Sequence, residues 1–189
     1  MDKEQILALL HELGDELAGE ESYATINVCG GAAMAIAYNN LKTSNDIDAV
    51  LIDFDDRNKF TECVKRIAER NDLPDNWLNE DVKIFVNSMK ELCFIDFGKF
   101  GALSVRIVSE EQLLAMKLFA ARRKDLDDAV MLAKSLNIKT KDELNNILYK
   151  YFSERALHFE VMRFKNDKRF SEFQDYIIYV LEGGEISAE

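Results

Sequence analysis

The segment spanning residues 27–52 constrains the fold of this chain more than any other part of the sequence. A short run rich in β-branched residues, 25–29, ends at two adjacent glycines, Gly30 and Gly31, and residues rich in alanine and methionine follow. A second apolar run begins at Asp46. A strand, a glycine pair, a helix and a second strand in this order are typical of an α/β protein.

The second apolar run, DIDAVLI, carries two carboxylates at alternate positions. Asp46 and Asp48 flank Ile47, and because successive side chains of a strand point to opposite faces, both carboxylates point to the same side. Two like charges placed in this way favour a divalent cation that prefers oxygen ligands, Mg²⁺ or Mn²⁺. A polar strand edge with solvated carboxylates is the alternative.

The glycine pair predicts a second half of the same site. A backbone without Cβ atoms can approach a ligand closely and present N–H groups to a phosphate at the start of a helix. A tight turn between strand and helix is the alternative, and the segment is neither a Walker A loop nor a GxGxxG fingerprint. Together with Asp46 and Asp48, Gly30 and Gly31 predict a site for a nucleoside triphosphate bound as its metal complex.

The rest of the sequence predicts a core that contains a mixed sheet, followed by helices. The expected strands are 25–29, 46–52, 82–86, 92–97 and 103–108, with a loop over 71–80 that Trp77 anchors. In the first part of the chain the expected helices are 3–18, 32–40 and one that Asp55 or Asp56 caps and that reaches Arg70. Ser109, with Gln112 in a capping box, is expected to begin a series of helices over 110–122, 125–136, 141–151, 153–165 and 169–182.

These elements define a fold class and two regions. The predicted fold is α/β (α+β), with an α/β core over residues 1–109 and a helical C-terminal region over residues 110–189 packed on that core. The 24 lysine and arginine residues against 35 aspartate and glutamate residues give a net charge of −11, which argues against a broad nucleic-acid-binding surface. Because residues 110–189 carry a net charge of only −2, a local basic patch there remains compatible with a partner that bears phosphates.

The sequence gives no sign of export or of a membrane anchor. No apolar stretch approaches the roughly 20 residues of a membrane-spanning helix, and the N-terminal residues lack the pattern of a signal peptide. We therefore expect a cytoplasmic protein with no membrane partner. Three widely spaced cysteines with apolar neighbours, Cys29, Cys63 and Cys93, are expected to be buried, reduced thiols.

The motif KTSNDID, about a dozen residues after the glycine pair, resembles the signature of the polymerase-β-type nucleotidyltransferase superfamily. In many small bacterial members the motif has the form R-x-T-x-D-I-D. Here Lys42 stands where arginine is common and Ser44 where threonine is common, and Asp46 and Asp48 match the metal-binding pair. The resemblance implies a nucleotidyltransferase core whose triphosphate contacts include Lys42 and Ser44, although lysine cannot reproduce the bidentate contact of a guanidinium group.

A second segment, residues 113–132, is similar to the AbiEii/MenT-like branch of that superfamily, which includes the toxin components of some bacterial toxin-antitoxin systems. The matching residues are Lys117, Arg123, Lys124, Asp125 and Asp128. The resemblance implies that Lys117 contacts the nucleotide phosphates with Arg123 and Lys124 beside it, and that Asp125 or Asp128 orients neighbouring basic groups. An ordinary lysine that extends its amine to solvent is the alternative for Lys117. The loop Trp77-Leu78-Asn79 is also similar to one in these proteins.

A third carboxylate completes many sites of this kind, as a general base or as a further metal ligand. Asp96, the one charged residue of an apolar strand, is the candidate. Its alternative role is to begin the turn towards Gly98. If Asp96 proves distant from Asp46 and Asp48, the site has only two carboxylates, and the case for an enzyme is weaker.

The expected function is therefore a metal-dependent nucleotidyltransferase that transfers a nucleoside monophosphate from a nucleoside triphosphate to an acceptor. The acceptor could be RNA, a protein hydroxyl or a small molecule of the drug type. A toxin-like protein would have a cognate antitoxin as partner. A degenerate nucleotide-binding or interaction module is the alternative to an enzyme. An RNA acceptor predicts a contiguous basic surface drawn from Arg122, Arg123, Arg155, Arg163, Lys165, Lys168 and Arg169.

Overall fold

A computed structural model of the chain describes residues 1–39, 41–166 and 168–185. The chain forms two compact units, one from Met1–Ile84 and Cys93–Val108, the other from Phe85–Leu92 and Ser109–Glu189. The sequence places the boundary at residue 109 and assigns 85–92 to the core. These residues belong instead to the second unit, because the Lys90 N–H donates to the Tyr151 carbonyl at 2.8 Å and Met89 forms an isolated β-bridge with Phe152.

A five-stranded sheet with the order β3-β2-β1-β5-β4 forms the centre of the first unit. Its strands are β1 Ala24–Val28, β2 Ile47–Phe54, β3 Leu78–Asn79, β4 Phe94–Phe100 and β5 Leu103–Val108. The β1–β5 and β2–β3 pairs are parallel, whereas the β1–β2 and β4–β5 pairs are antiparallel. The predicted α/β fold with a mixed sheet is thus confirmed.

Three helices of the first unit follow from local sequence signals. Helix α1, Lys3–Gly19, begins at Asp2 with a complete capping box, and α3, Arg57–Arg70, begins at Asp56, whose carboxylate accepts from two backbone N–H groups. Helix α2, Gly30–Ala33, continues as a π-helical turn over Met34–Tyr38, in which the Asn39 N–H donates to the Met34 carbonyl at 2.7 Å. The predicted end of this helix at residue 40 lies outside the described residues.

The predicted strand over 82–86 is wrong, because helix α4, Lys83–Ser88, occupies most of that segment. Val82 and Val86 are buried whereas Ile84, between them, is 63% exposed. The two valines are four residues apart, so they lie on one face of a helix with Ile84 on the other side. A short apolar run cannot distinguish the two structures by its composition alone.

The core of the first unit lies between one face of the sheet and helix α1. Inward residues of the central strands, such as Ile26, Leu51 and Val105, are almost fully buried, and α1 packs against α3, β4 and β5. Each such aliphatic side chain contributes about 1.5–3 kcal/mol when it leaves water. Trp77 is fully buried and its indole N–H donates to the Val64 carbonyl at 3.0 Å, which confirms that it anchors the loop before β3.

The second unit consists of helices whose bounds agree with the predicted ones to within two residues. They are α5 Glu110–Ala120, α6 Leu126–Ser135, α7 Lys141–Tyr151, α8 Glu154–Phe164 and α9 Arg169–Leu181, and a 3₁₀ turn over Arg123–Asp125 precedes α6. Ser109, Thr140 and Ser153 cap α5, α7 and α8 with their side-chain oxygens. The amide of Gln112 donates to the Glu91 carbonyl. Packing of the helical region on the core stays a prediction, and residues 186–189 lie outside the described residues.

Two further observations concern membrane-spanning helices and the cysteine thiols. No helix among the described residues is both long enough and apolar enough to span a membrane. All three cysteines are free thiols; Cys29 and Cys63 are buried, but Cys93 is exposed, so its predicted burial is wrong. Cys93 precedes β4, the edge strand of the sheet, where fewer neighbours cover a side chain.

Candidate functional site

The acidic pair lies at the beginning of β2, beside β3. Asp48 belongs to β2 and Asp46 precedes it, and both side chains are partly exposed while Ile47 between them is fully buried. The Asn79 side chain approaches the pair, with its Nδ2 3.4 Å from Oδ2 of Asp46, and the Asn79 backbone is in register with Asp48. Strand alternation therefore keeps Ile47 in the core and both carboxylates accessible.

The glycine pair packs directly against the residues of the acidic motif. A Cβ atom at Gly30 would lie 2.6 Å from Oδ2 of Asp48, and one at Gly31 would lie 2.6 Å from Oγ of Ser44. Gly30 also has φ of +60°, a conformation that glycine adopts without steric cost. The structure thus brings together four residues that the sequence predicts for one site.

Backbone hydrogen bonds fix the ends of the segments that meet here. The Cys29 N–H donates to the Asp48 carbonyl at 2.8 Å, which extends the β1–β2 ladder to the residue before the glycine pair. Burial, with a smaller contribution from the charge of Asp48, raises the pKa of the Cys29 thiol to about 12. Cys29 is therefore a neutral packing residue at physiological pH rather than a nucleophile.

Asp46 and Asp48 are the two oxygen donors at this site that could hold a divalent cation. No group of three or more histidine, cysteine, aspartate or glutamate side chains suited to a metal ion occurs among residues 1–39, 41–166 and 168–185. Mg²⁺ usually retains water and needs only one or two protein carboxylates when substrate phosphates supply further ligands. Asp46 and Asp48 meet that requirement, whereas they would hold a cation weakly without such a substrate.

Asp96 does not complete this site, so the prediction of a third carboxylate at that position is wrong. Asp96 lies on β4, three strands from β2, which corresponds to about 14 Å at the usual spacing between strands. Its side chain is 93% exposed and forms an ion pair with Arg106, whose Nε is 3.2 Å from Oδ1 of Asp96. The alternative, that Asp96 begins a turn into Gly98, is also wrong, because β4 continues through a β-bulge between Asp96 and Gly98 as far as Phe100.

Lys42 and Ser44 lie in the irregular segment before β2, and both are partly exposed. The Lys42 N–H donates to the Asn39 carbonyl, and the backbone of Ser44 forms two hydrogen bonds with Met1, at 2.5 and 2.8 Å. The Ser44 hydroxyl is thereby held beside Gly31. A triphosphate contact for either residue stays a prediction.

A cluster of buried charges surrounds Lys117 in the second unit. Nζ of Lys117 lies 2.6 Å from Oδ1 of Asp125 and 2.8 Å from Oδ2 of Asp128, and the exposed Arg122 binds the other oxygen of Asp125 at 2.5 Å. Only 7% of the Lys117 side chain is exposed, so the alternative in which this lysine extends to solvent is wrong. We call these four residues the Lys117 cluster.

The Lys117 cluster is electrically balanced, with two cations and two carboxylates. Burial by itself would raise the pKa of Asp125, but Lys117 and Arg122 outweigh it and hold that pKa below its ordinary value. The structure supports the predicted role of Asp125 and Asp128 in orienting basic groups. Arg123 and Lys124, in the adjacent 3₁₀ turn, are exposed.

Two members of the predicted basic surface have structural roles. Arg169 is buried, and its guanidinium donates to the Ala120 carbonyl and lies 3.6 Å from Oε2 of Glu160. Arg163 binds Glu160 from the other side at 3.3 Å. Arg155, Lys165 and Lys168 are exposed. Arg169 is thus not available to a large ligand, because its charge is used inside the unit.

The sequence did not predict that Asn79 contacts Asp46 or that Arg122 pairs with Asp125. The Trp77-Leu78-Asn79 motif was a usable signal for Asn79, since a buried tryptophan fixes the residues that follow it. The spacing of three residues between Arg122 and Asp125 was a usable signal for their ion pair. Comparison of the chain with protein-family models, with curated proteins and with solved structures found no match.

Proposed function

We propose that this chain is a metal-dependent nucleotidyltransferase of the polymerase-β type, in its AbiEii/MenT-like branch. It transfers a nucleoside monophosphate from a nucleoside triphosphate to an acceptor hydroxyl, and pyrophosphate leaves. The observation that carries the proposal is the contact of Gly30 with Asp48 and of Gly31 with Ser44, beside Asp46. A backbone free of Cβ atoms and two accessible carboxylates are the parts that a triphosphate and its cation require.

The proposal gives each of these residues of the first unit a role. Asp46 and Asp48 would hold Mg²⁺ or Mn²⁺, which when bound neutralises phosphate charge and lowers the pKa of the acceptor hydroxyl. Gly30 and Gly31 present the backbone to the phosphates, and Ser44 lies within reach of the same groups. Asn79 orients Asp46 through the contact at 3.4 Å.

Lys117, Arg123 and Lys124 are assigned to the phosphates in the same proposal. Lys117 already donates to Asp125 and Asp128 inside the second unit, so its contact with a phosphate rests on the resemblance alone. Arg123 and Lys124 offer exposed positive charge in the next turn.

The proposal is tested by calorimetric titration of each nucleoside triphosphate in the presence of Mg²⁺. We expect wild type to bind and the variant Asp46→Ala/Asp48→Ala to lose about 100-fold or more in affinity, as for the loss of charge-assisted ligands. The matched control is Asp53→Ala/Asp55→Ala, which removes an exposed D-x-D pair from the other end of β2 with the same change of charge. Absence of binding by wild type, or an equal loss in both variants, would contradict the proposal.

Three acceptors remain in competition: RNA, a protein hydroxyl and a small molecule. An RNA acceptor, with a toxin-like role and a cognate antitoxin, is compatible with the exposed Arg155, Lys165 and Lys168. Incubation with labelled triphosphates and cell extract shows which fraction acquires label, with Asp46→Ala/Asp48→Ala as the inactive control. Binding of a triphosphate without label in any fraction would favour a catalytically degenerate nucleotide-binding module.

A further inference from the structure

A groove in the second unit lies between helices α7, α8 and α9, and no step of the proposed reaction uses it. Its volume is about 750 Å³, within the range of about 300–1,000 Å³ typical of pockets for small molecules. The walls contain apolar side chains, among them Leu148, Val161 and Phe170. The groove is therefore large enough for a ligand with an apolar body.

Two polar side chains at this groove, Arg155 and Gln174, can donate hydrogen bonds to a ligand. Gln174 is 2% exposed and lines the groove, and its Nε2 is buried without a hydrogen-bond partner among the described residues. Arg155 and His158 line it from α8 with exposed side chains. A buried amide N–H without an acceptor is costly, so a ligand oxygen placed there removes a penalty as well as adding a bond.

The acidic side chains near the groove are partly neutralised. Lys141 donates to Oδ1 of Asp175 at 2.5 Å and to the Ser171 hydroxyl at 2.7 Å, so Asp175 is already paired. Lys141, Arg155 and Glu154 are the charged side chains described at the groove, and Asp175 is paired with Lys141. Their charges sum to zero, so the attraction for an anion rests on Arg155 and on the Gln174 amide and not on a positive net charge.

We propose that the groove between α7, α8 and α9 binds a small amphiphilic anion. A carboxylate or phosphate oxygen of the ligand accepts hydrogen bonds from Gln174 Nε2 and from Arg155, and an aromatic or aliphatic body packs against Phe170 and Leu148. Residues of this site belong to the second unit only. The inference does not depend on nucleotidyl transfer, since none of its residues takes part in the proposed triphosphate site.

Binding is measured on the full chain by ¹H–¹⁵N NMR titration with three probes that share a phenyl group, namely phenyl phosphate, phenylacetate and neutral 2-phenylethanol. We expect the Gln174 side-chain amide signal to shift with both anions, and we expect the neutral probe to bind at least tenfold more weakly. A tenfold preference for one anion identifies its class as phosphate or carboxylate. Failure of both anions to bind, or equal affinity for the neutral probe, would overturn the proposal.

Two arginine variants test whether anions bind in the groove itself or are attracted by positive charge elsewhere on the second unit. Arg155→Gln is expected to weaken anion binding about tenfold, whereas Arg163→Gln, the same charge change on the same helix but outside the groove, is expected to weaken it less than twofold. Gln174→Met keeps the length of the side chain and is expected to lose a similar factor; because Gln174 is buried, the exposed Arg155 decides the test if this variant unfolds. Equal losses in Arg155→Gln and Arg163→Gln would overturn the proposal.

The same titration distinguishes this site from the proposed triphosphate site. Asp46→Ala/Asp48→Ala is expected to bind phenyl phosphate with unchanged affinity and with the same shift of the Gln174 amide. Loss of probe binding in that variant would mean that the probe occupies the triphosphate site, and would overturn the assignment to the groove. Absence of triphosphate binding by wild type, by contrast, would affect only the proposed function.

Discussion

At the scale of single residues, the absence of a side chain at Gly30 matters for stability and for the proposed triphosphate site, because Gly30 lies against the carboxylate of Asp48. Gly30→Ala places a methyl group 2.6 Å from Oδ2 of Asp48 at a φ of +60°. We expect a loss of about 1–3 kcal/mol in the free energy of unfolding and a loss of triphosphate binding, because Asp48 must move. Urea unfolding and calorimetric titration measure the two effects.

Gly19→Ala is the matched control for Gly30→Ala. Gly19 is the last residue of α1, and a Cβ atom there would meet nothing within 4 Å. We expect this variant to be neutral or up to about 1 kcal/mol more stable, with unchanged binding. A Gly30→Ala protein that binds triphosphate as well as the Gly19→Ala protein would contradict the close contact at Asp48.

The buried charges of the Lys117 cluster predict a pH dependence of stability. Because the folded state lowers the pKa of Asp125, the stability that this carboxylate contributes is complete above its unfolded-state value of about 3.9. That stability is lost as the pH falls through the lower folded-state pKa. Asp125→Asn should therefore unfold more easily than wild type at pH 7 and should lose less of its remaining stability below pH 4.

Urea unfolding at several pH values between 7 and 3 checks this prediction for Asp125→Asn. Lys117→Met is a second variant that leaves Asp125 and Asp128 buried without their shared cation, and we expect it to cost about 3–5 kcal/mol. Lys134→Met, at the exposed end of α6, removes the same charge and should cost less than about 1 kcal/mol. Similar stability of the two lysine variants would contradict a structural role for the cluster.

At the scale of helices and strands, the sequence predicted regular elements well and their arrangement poorly. Helices such as α7 and α9 have apolar residues at a period of 3.6, which is a local signal. The Thr140 side chain that caps α7 is a second local signal. The apolar run at 82–86 was too short for its hydrophobic period to distinguish a helix from a strand, and the backbone of the structure shows that Lys83–Ser88 is the helix α4.

The error at Asp96 has a different physical origin. The character of the strand was predicted correctly, but its neighbours in the sheet are set by pairing between segments far apart in the chain. In the order β3-β2-β1-β5-β4 the strand of Asp96 is at one edge and β2 is near the other. The convergence of Gly30, Gly31 and Asp48 was predictable because β1 and β2 follow one another and neighbouring elements usually pair.

At the scale of the whole molecule, the division into two units predicts how a fragment behaves. Residues 85–92 belong to the second unit, and the Lys90 N–H is bonded to the Tyr151 carbonyl. A fragment of residues 1–109 lacks that acceptor, so we expect the Lys90 amide to exchange its hydrogen at least 100-fold faster in the fragment than in the full chain.

Hydrogen exchange followed by NMR measures this difference, with the β1 amides as internal reference. The Ile26 amide lies in the centre of the sheet and should stay protected in both proteins if the first unit folds alone. Equal protection of Lys90 in fragment and full chain would contradict the assignment of 85–92 to the second unit. Loss of protection at Ile26 as well would show that the first unit requires the second for its own stability.

The contacts of Gly30 and Gly31 also bear on how this protein could change over time or by engineering. A substrate pocket is usually altered by exchanging one side chain for another, but at these two positions there is no side chain to exchange, and any addition meets Asp48 or Ser44. New specificity would therefore have to arise at more distant positions around the site. Substitutions elsewhere in the site must therefore leave Asp48 and Ser44 in positions that the two glycines can pack against.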